Sequence, residues 1–319
     1  MDQTIEKEFF EDVEMKINQG QYSEALSTLY DGLRDLRQQY STEDWTQFIP
    51  RYREHSISHF FLQEPLSRRA FERPRGYAGD PIMLDLQYDF EKLESSPYEN
   101  EKSEIADFLY YDLNRMAHAN NANRERRRIL SSKINQTSER VANPYILSVA
   151  CGHLRETSDC AAVQNKTIGK FVAIDQDQEA LSVAAEAIKD FGEAIPASVV
   201  DIIRNKVPLP TFDFIYSIGV YDYLPDKIAK RLTKKLFQLL NPGGRLLIIN
   251  YHPGSPTIAY MEAVMDWWLI YRNEDQMQEL LEELPKEDIN DVDIFVEDHE
   301  TIIFMEIEKR KGDDKNEEK

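Results

Sequence analysis

From Tyr145 onward the sequence alternates short apolar runs with longer stretches of helical periodicity: YILSVA, KFVAID, SVVD, FDFIYSI and RLLIINY. Runs this short and this apolar read as strands buried on both faces, and their alternation with helices dictates βα units around a parallel sheet. Open sheets of this kind bind ligands in the loops at the carboxyl ends of their strands. Each run here ends in small or polar residues, so those loops are where chemistry is expected. Beyond a helix expected over Thr257 to Glu283, the pattern VDIFVEDHETIIFMEIEK predicts two strands joined by a polar turn, a C-terminal antiparallel hairpin.

The region before the first strand carries a different rhythm. Phe9, Phe10, Val13 and Ile17, then Leu26, Leu29, Leu33 and Leu36, recur at helical spacing. Gly20 separates the first two helices, Pro50 interrupts the third, and RPRGYAGDP forms a loop inside a helical domain. A long helical stretch is expected from about Ser103 to Ile134, and the polar run Asn135 to Asn143, where the domain boundary is expected, ends at Pro144. The expected organisation is a helical N-terminal domain over residues 1–136 that covers the acceptor pocket, an α/β domain over 137–311, and a charged, disordered tail at 312–319.

Composition narrows the partners. With 38 Lys plus Arg against 58 Asp plus Glu, the chain has a net charge of -20, the wrong sign for a phosphate backbone, and no nucleic-acid partner is expected. No apolar run approaches the roughly 20 residues of a membrane span, and MDQTIEKEFF lacks the features of a signal peptide. Cys151 and Cys160 are the only cysteines, too few for a disulfide framework or a four-ligand zinc site. A cytoplasmic protein without a metal is the expectation.

The loop after YILSVA holds Cys151, Gly152, His153, Leu154, Arg155 and Glu156. Gly152 permits close backbone approach, and a helix starting near Arg155 would aim its first N–H groups into the loop. A dinucleotide fold requires G-x-G-x-x-G here, and one glycine disfavours a nicotinamide enzyme. Asp175 ends the second run roughly 20 residues further on, where an acid hydrogen-bonds ribose hydroxyls. Asp177 is the better helix cap, which leaves Asp175 for a ligand. Asp201, ending SVVD, either accepts from an exocyclic amine such as that of adenine or is a turn residue. The fourth strand ends at Ser217, Ile218 and Gly219, and a fifth comes after the turn Asn241-Pro242-Gly243-Gly244.

This ordered set resembles the class I S-adenosylmethionine-dependent methyltransferases, with a Rossmann-like sheet, over Pro144 to Lys309. The resemblance implies that the loop Ala150, Cys151, Gly152 to Leu154 holds the methionine part of the cofactor. It further implies that Asp175 with Gln176 binds the ribose, that Asp201 with Ile202 lies near the adenine, and that Ser217, Ile218 and Gly219 lie beside the sulfonium. That family commonly has an acid where Ser148 stands, and glycines where Ala150 and Leu154 stand. VACGHLRE, IGVYDYLPD and NYHPGSPTIAYMEAVMDWWLIYR, with RPRGYAGD upstream, are similar to a bacterial group with a helical N-terminal extension. It includes the extracellular-factor enzymes of 3-hydroxypalmitic acid methyl ester biosynthesis.

Methyl transfer from a sulfonium is an in-line displacement governed by positioning. A carboxylate acceptor needs no general base, whereas an amine or hydroxyl needs proton removal. Carboxyl O-methylation of a small molecule is the first expectation, N-methylation the second. A non-catalytic sensor of adenosyl ligands is the rival from another class. His252, directly after the fifth strand, is the candidate base, against the plainer role of a solvated loop histidine. Tyr221, Asp222 and Tyr223 either line the site or pack and cap before the helix at Pro225. Arg75, Tyr77 and Asp80 of RPRGYAGD suit a lid over a ligand, with Arg75 and Tyr77 expected to bind the cofactor, Arg75 meeting a carboxylate of either the cofactor or the substrate and Tyr77 lying over the site. Met261, Met265, Trp267, Trp268 and Tyr271 read chiefly as core, some walling the acceptor pocket, and Arg124 to Arg128 as a solvated or ion-paired helix face. Cys151 is expected to be a small neighbour of the cofactor, not a nucleophile.

Overall fold

The computed structural model describes residues 3–88 and 103–312, which form two compact units. One comprises Met1–Arg124 with Gly254–Trp268, the other Glu125–Pro253 with Leu269–Lys319. The tail expected to be disordered lies, but for Gly312, outside the described residues.

The second unit holds a seven-stranded sheet. Its strands are β1 (Tyr145–Val149), β2 (Lys170–Asp175), β3 (Gly192–Pro196), β4 (Phe212–Ser217), β5 (Leu240–Tyr251), β6 (Ile289–Val296) and β7 (Ile302–Lys309). Their order is β3-β2-β1-β4-β5-β7-β6, parallel from β3 to β5, with β7 antiparallel to both β5 and β6. The expected Rossmann-like sheet with a C-terminal antiparallel hairpin is what forms. Leu147, Val149, Val172, Ile174, Ile215 and Ile248 make one buried face. The helix Asp226–Gln238 puts Ala229, Leu232 and Leu236, at spacings of three and four, into that same core. Asp177 accepts from Glu179 N and Ala180 N at 3.0 and 3.1 Å and so starts the helix Gln178–Ile188, as its position predicts.

The first unit is helical. Tyr22–Gln39 buries Leu26, Leu29, Leu33 and Leu36 along one stripe, and Ser41 caps Thr42–Glu54 by accepting from Asp44 N at 3.1 Å. Pro50 lies inside this last helix and does not interrupt it. RPRGYAGDP does form a loop, between Pro65–Glu72 and Pro81–Tyr88.

Three expectations need correction. SVVD is not a strand: the third strand is Gly192–Pro196, and Ser198 and Asp201 form a reciprocal capping box that opens the helix Val199–Ile203. The helix expected over Thr257 to Glu283 is two short ones, Ile258–Ala263 and Glu274–Glu279, with irregular chain between. Asp266 breaks it in the left-handed region at φ 49°, where its carboxylate receives Arg53 at 2.8 Å and Arg73 at 2.5 Å. The stretch from Ser103 is two helices, Glu104–Met116 and His118–Arg140, and the second runs through the polar residues expected to separate domains. The division falls at Arg124, and Gly254–Trp268 joins the helical unit because its buried side chains find their partners there.

Candidate active site

In the sheet-bearing unit the carboxyl ends of β1, β2 and β4 bring the loop Ala150–Leu154, Asp175 and Ser217–Gly219 to one edge. Ala150, Gly152 and Leu154 have φ of 56°, 53° and 56°. These are left-handed conformations that glycine adopts freely and other residues adopt at a cost of about 1 kcal/mol or more. Ala150 and Leu154 thus retain the backbone that glycine would serve. Immediately after Leu154 the chain makes a single 3-10 turn, Arg155–Thr157, rather than the expected α-helix.

Asp175 fastens this loop. Its Oδ2 accepts from Gly152 N at 2.8 Å and its Oδ1 from Asp177 N at 2.9 Å, while burial pushes its pKa up. A carboxylate has about four acceptor positions, so Asp175 keeps acceptor capacity beyond these two bonds. Gln176 beside it is exposed. Cys151 is 4% exposed, and burial, with Asp175 and Glu156 nearby, raises its thiol pKa well above the ordinary value, which suits a neutral neighbour and not a nucleophile. Ser217 is buried with its hydroxyl donating to Val149 O at 3.2 Å, Ile218 is half-buried, and Gly219 at φ 67° has open space where a Cβ would stand.

The β3 loop is a different case. Asp201 is held by Ser198, whose hydroxyl donates at 2.6 Å, and by Lys206 at 2.9 Å, which together depress its pKa to about 2. Ile202 is buried in the core at 1% exposure, so its side chain is packing.

The candidate catalytic residues fare unequally. Tyr221 is fully buried with its hydroxyl 3.1 Å from Thr233 Oγ1, and burial raises its pKa; it belongs to the core. Asp222 is 3% exposed, accepts from Tyr251 N at 2.6 Å through Oδ1, and has its pKa pushed up by burial to about 6. Its carbonyl accepts from Ile270 N at 2.7 Å, so it ties the β4 loop to the end of β5. His252 is half-exposed at that end, with Nε2 3.8 Å from Glu274 Oε2. Tyr223 is exposed.

Arg272 organises this corner, a role that its place in the sequence did not disclose. It is 1% exposed; one terminal nitrogen donates to Tyr221 O at 2.8 Å and Asn250 Oδ1 at 2.7 Å, the other to Leu224 O at 2.6 Å and Asp226 Oδ1 at 2.8 Å. One signal pointed to it: a permanent cation closing the apolar run DWWLIYR must bury with acceptors around it.

Arg75 and Tyr77 lie half-buried in their loop in the helical unit. Asp80 is no ligand group: it is fully buried and takes Arg69 bidentately at 2.9 and 2.7 Å. A Cβ on Gly79 would stand 2.5 Å from the Trp267 ring, so only glycine fits beneath that indole. Met261, Met265 and Trp267 are buried as expected, whereas Trp268 is 44% exposed.

Residues 146–244 match a family model described as a methyltransferase domain. That stretch of the sheet-bearing unit, β1 to the start of β5, is what resembles the domain. A solved structure described as a possible exported protein from Bordetella parapertussis is 16% identical, with 81% of this chain and 98% of that one covered and a TM-score of 0.54, which shows a shared fold. The magnesium protoporphyrin IX methyltransferase of Synechocystis PCC 6803, solved with bound S-adenosylhomocysteine, is 10% identical over 72% of this chain and 100% of its own, at a TM-score of 0.46. The N-methyltransferase NodS from Bradyrhizobium japonicum WM9 is 15% identical over 58% and 96%, at 0.42. No curated protein matches the chain. The match to the methyltransferase domain ends at Gly244, so the end of β5, the hairpin and the helical unit lie beyond it.

Proposed function

We propose that the protein is an S-adenosylmethionine-dependent methyltransferase acting on a small molecule. The observation that carries this reading is Asp175, which grips the β1 loop through Gly152 N–H and keeps acceptor capacity for ribose hydroxyls. The edge fits the group: the β1 loop holds the backbone of a glycine-rich turn, and Gly219 leaves open space at the end of β4. Bound there, S-adenosylmethionine supplies an electrophilic methyl group. The chain's part is to seat the adenosyl group by Asp175 and Gln176, and to hold the β4 loop against β5 through Asp222 and Arg272.

Carboxyl O-methylation is our first reading for the acceptor. Tyr221 spends its hydroxyl on Thr233 and Asp222 spends one oxygen on Tyr251 N–H, which suits a reaction that needs no proton removed. N-methylation is the second, favoured by the place of His252 directly after β5, where an imidazole is available as a general base. Arg75 and Tyr77 belong to a helical unit that we assign to acceptor recognition. The net charge of -20 supports a small molecule over a nucleic acid as acceptor, and two free, buried cysteines support the cytoplasm. No helix among the described residues is long and apolar enough to cross a membrane.

Calorimetry with S-adenosylhomocysteine on the wild type and on Asp175→Ala tests the cofactor. Loss of two charge-assisted hydrogen bonds weakens binding roughly 100-fold; equal affinities would refute the reading. Methyl transfer to a metabolite extract, followed by mass spectrometry, then identifies the acceptor. An amine acceptor makes His252→Asn lose turnover at neutral pH, a carboxylate acceptor leaves turnover intact, and binding of both cofactor forms with no turnover on any acceptor marks a sensor.

A further inference from the structure

The chain carries a net charge of -20, yet one cleft of the sheet-bearing unit is lined mostly by cations. It lies where the last turns of the helix His118–Arg140 bring Lys133 and Arg140 to the face of the sheet that holds Phe214, Arg245 and Glu306. Phe214 stands beside Arg245 in the β4–β5 ladder, and Arg245 beside Glu308 in the β5–β7 ladder. This is the end of the sheet at which β4 begins, opposite the edge formed by the Ala150–Leu154 loop. Glu306 receives Lys133 at 2.6 Å and Arg245 at 3.0 Å, and Arg245 also meets Glu308 at 2.8 Å. Two carboxylates thus answer Lys133 and Arg245.

Arg140 is in a different position. One of its terminal nitrogens donates to Gly243 O, and no carboxylate among the described residues lies within ion-pair distance of it. A guanidinium carries more donors than one carbonyl can take. Burial and the neighbouring Arg245 charge push the Arg140 pKa down, while Glu308, Glu306 and Asp213 pull the other way. Two cations that repel each other in a partly desolvated cleft are stabilised by an anion in contact with both. Size decides which anion: the cleft has room for a single water-sized species, which excludes phosphate and sulfate and leaves a water or a monatomic anion. The charge of the lining separates these two, since Lys133, Arg140 and Arg245 outweigh Glu306, and Phe214 offers no acceptor to compete.

We infer that this cleft is a halide site, taking chloride between Arg140 and Arg245 with Lys133 beside them, and that the bound ion fastens the end of the helix His118–Arg140 to the sheet. The site is separate from the edge proposed for the cofactor and stands whether or not the methyl-transfer reading does.

The test is chloride nuclear magnetic resonance on the full chain and on Arg140→Gln, which keeps a donor for Gly243 O and removes the charge. Chloride exchanging with the wild type is expected to give a broadened line that bromide sharpens by displacement and gluconate does not. In the variant the affinity for chloride should fall roughly tenfold or more. Thermal denaturation at constant ionic strength gives a second readout: the wild type should gain about 2 °C in chloride over gluconate, measured against the same comparison in the variant. No broadening, or equal broadening by wild type and variant, overturns the assignment, since both mark a cleft that holds water. Displacement by sulfate as effective as by bromide also overturns it, because it marks an open patch for oxyanions. Should the variant not fold, the wild type still decides: crystals soaked in bromide must show anomalous scattering between Arg140 and Arg245, and none there overturns the site.

Discussion

Ala150 shows how single residues carry the trace of the site. Its φ of 56° places an L-residue where the β1 loop calls for glycine, and its neighbour Leu154 does the same while 1% exposed. Ala150→Gly removes the steric conflict without emptying a cavity, so the variant should be more stable by about 1 kcal/mol, a rise of about 2 °C in Tm. A lowered Tm would mean that the methyl group packs usefully. Asp222 makes a prediction of its own. Burial lifts its pKa from about 3.8 in the unfolded chain to about 6 in the fold, so between these values the folded state holds a proton that the unfolded state has lost. Stability attributable to this group is therefore greatest below about pH 4, declines as pH rises to about 6, and is level above. Asp222→Asn keeps an acceptor for Tyr251 N–H and does not titrate. The difference in stability, variant minus wild type, should grow by about 2 kcal/mol from pH 4 to pH 7 in urea unfolding. A pH-independent difference would show that Asp222 is not desolvated.

Elements depend on partners that local sequence does not name. Glu262, on the short helix Ile258–Ala263, is 2% exposed and receives Arg37 at 2.7 and 3.0 Å and Trp45 Nε1 at 2.7 Å. Arg37→Ala takes the guanidinium away from that buried carboxylate and should cost about 2–3 kcal/mol, below the range for a fully buried pair because Arg37 is one-third exposed. Trp45→Phe removes a single neutral donor and should cost about 1–2 kcal/mol. Thermal denaturation of both variants checks the order, and equal losses would contradict it. The same dependence explains what the sequence revealed and what it hid. The central strands were legible because parallel strands buried on both faces must be uninterrupted apolar runs, and YILSV and FDFIYS are such runs. The edge strand GEAIP is half-exposed and mixed in character, so the β-branched pair of SVVD drew the assignment, although the S-x-x-D spacing of a capping box was present in it. Asp175 and Gly152 stood out by position, because strand ends and loop glycines have fixed roles in this architecture. Arg272 and the core position of Tyr221 did not, since each is defined by groups distant in sequence.

At the scale of the whole molecule, neither unit is a continuous length of chain. Gly254–Trp268 leaves the sheet-bearing unit after β5 and packs among the N-terminal helices, where Ile258, Tyr260, Met261, Val264 and Trp267 are between 0% and 6% exposed. Two-part construction of this kind sets what can be cut. A fragment of residues 125–319 keeps the whole sheet but strips the cover from those five side chains, an exposed apolar surface of the sort that drives association. The points where the segment departs and returns are already joined: Arg272 N donates to Tyr251 O at 3.1 Å and Asn250 Nδ2 to Ile270 O at 2.8 Å. A short Gly/Ser linker in place of residues 254–268 therefore closes the gap without straining β5. The fragment with the linker should be monodisperse in sedimentation and keep cooperative unfolding, while the same fragment with its native 254–268 should aggregate. If both behave alike, the segment is not committed to the helical unit, and the division of the chain at Arg124 loses its physical meaning. If the linker version also binds S-adenosylhomocysteine, the cofactor edge is complete within the sheet-bearing unit, and the helical unit is left with the acceptor as its task.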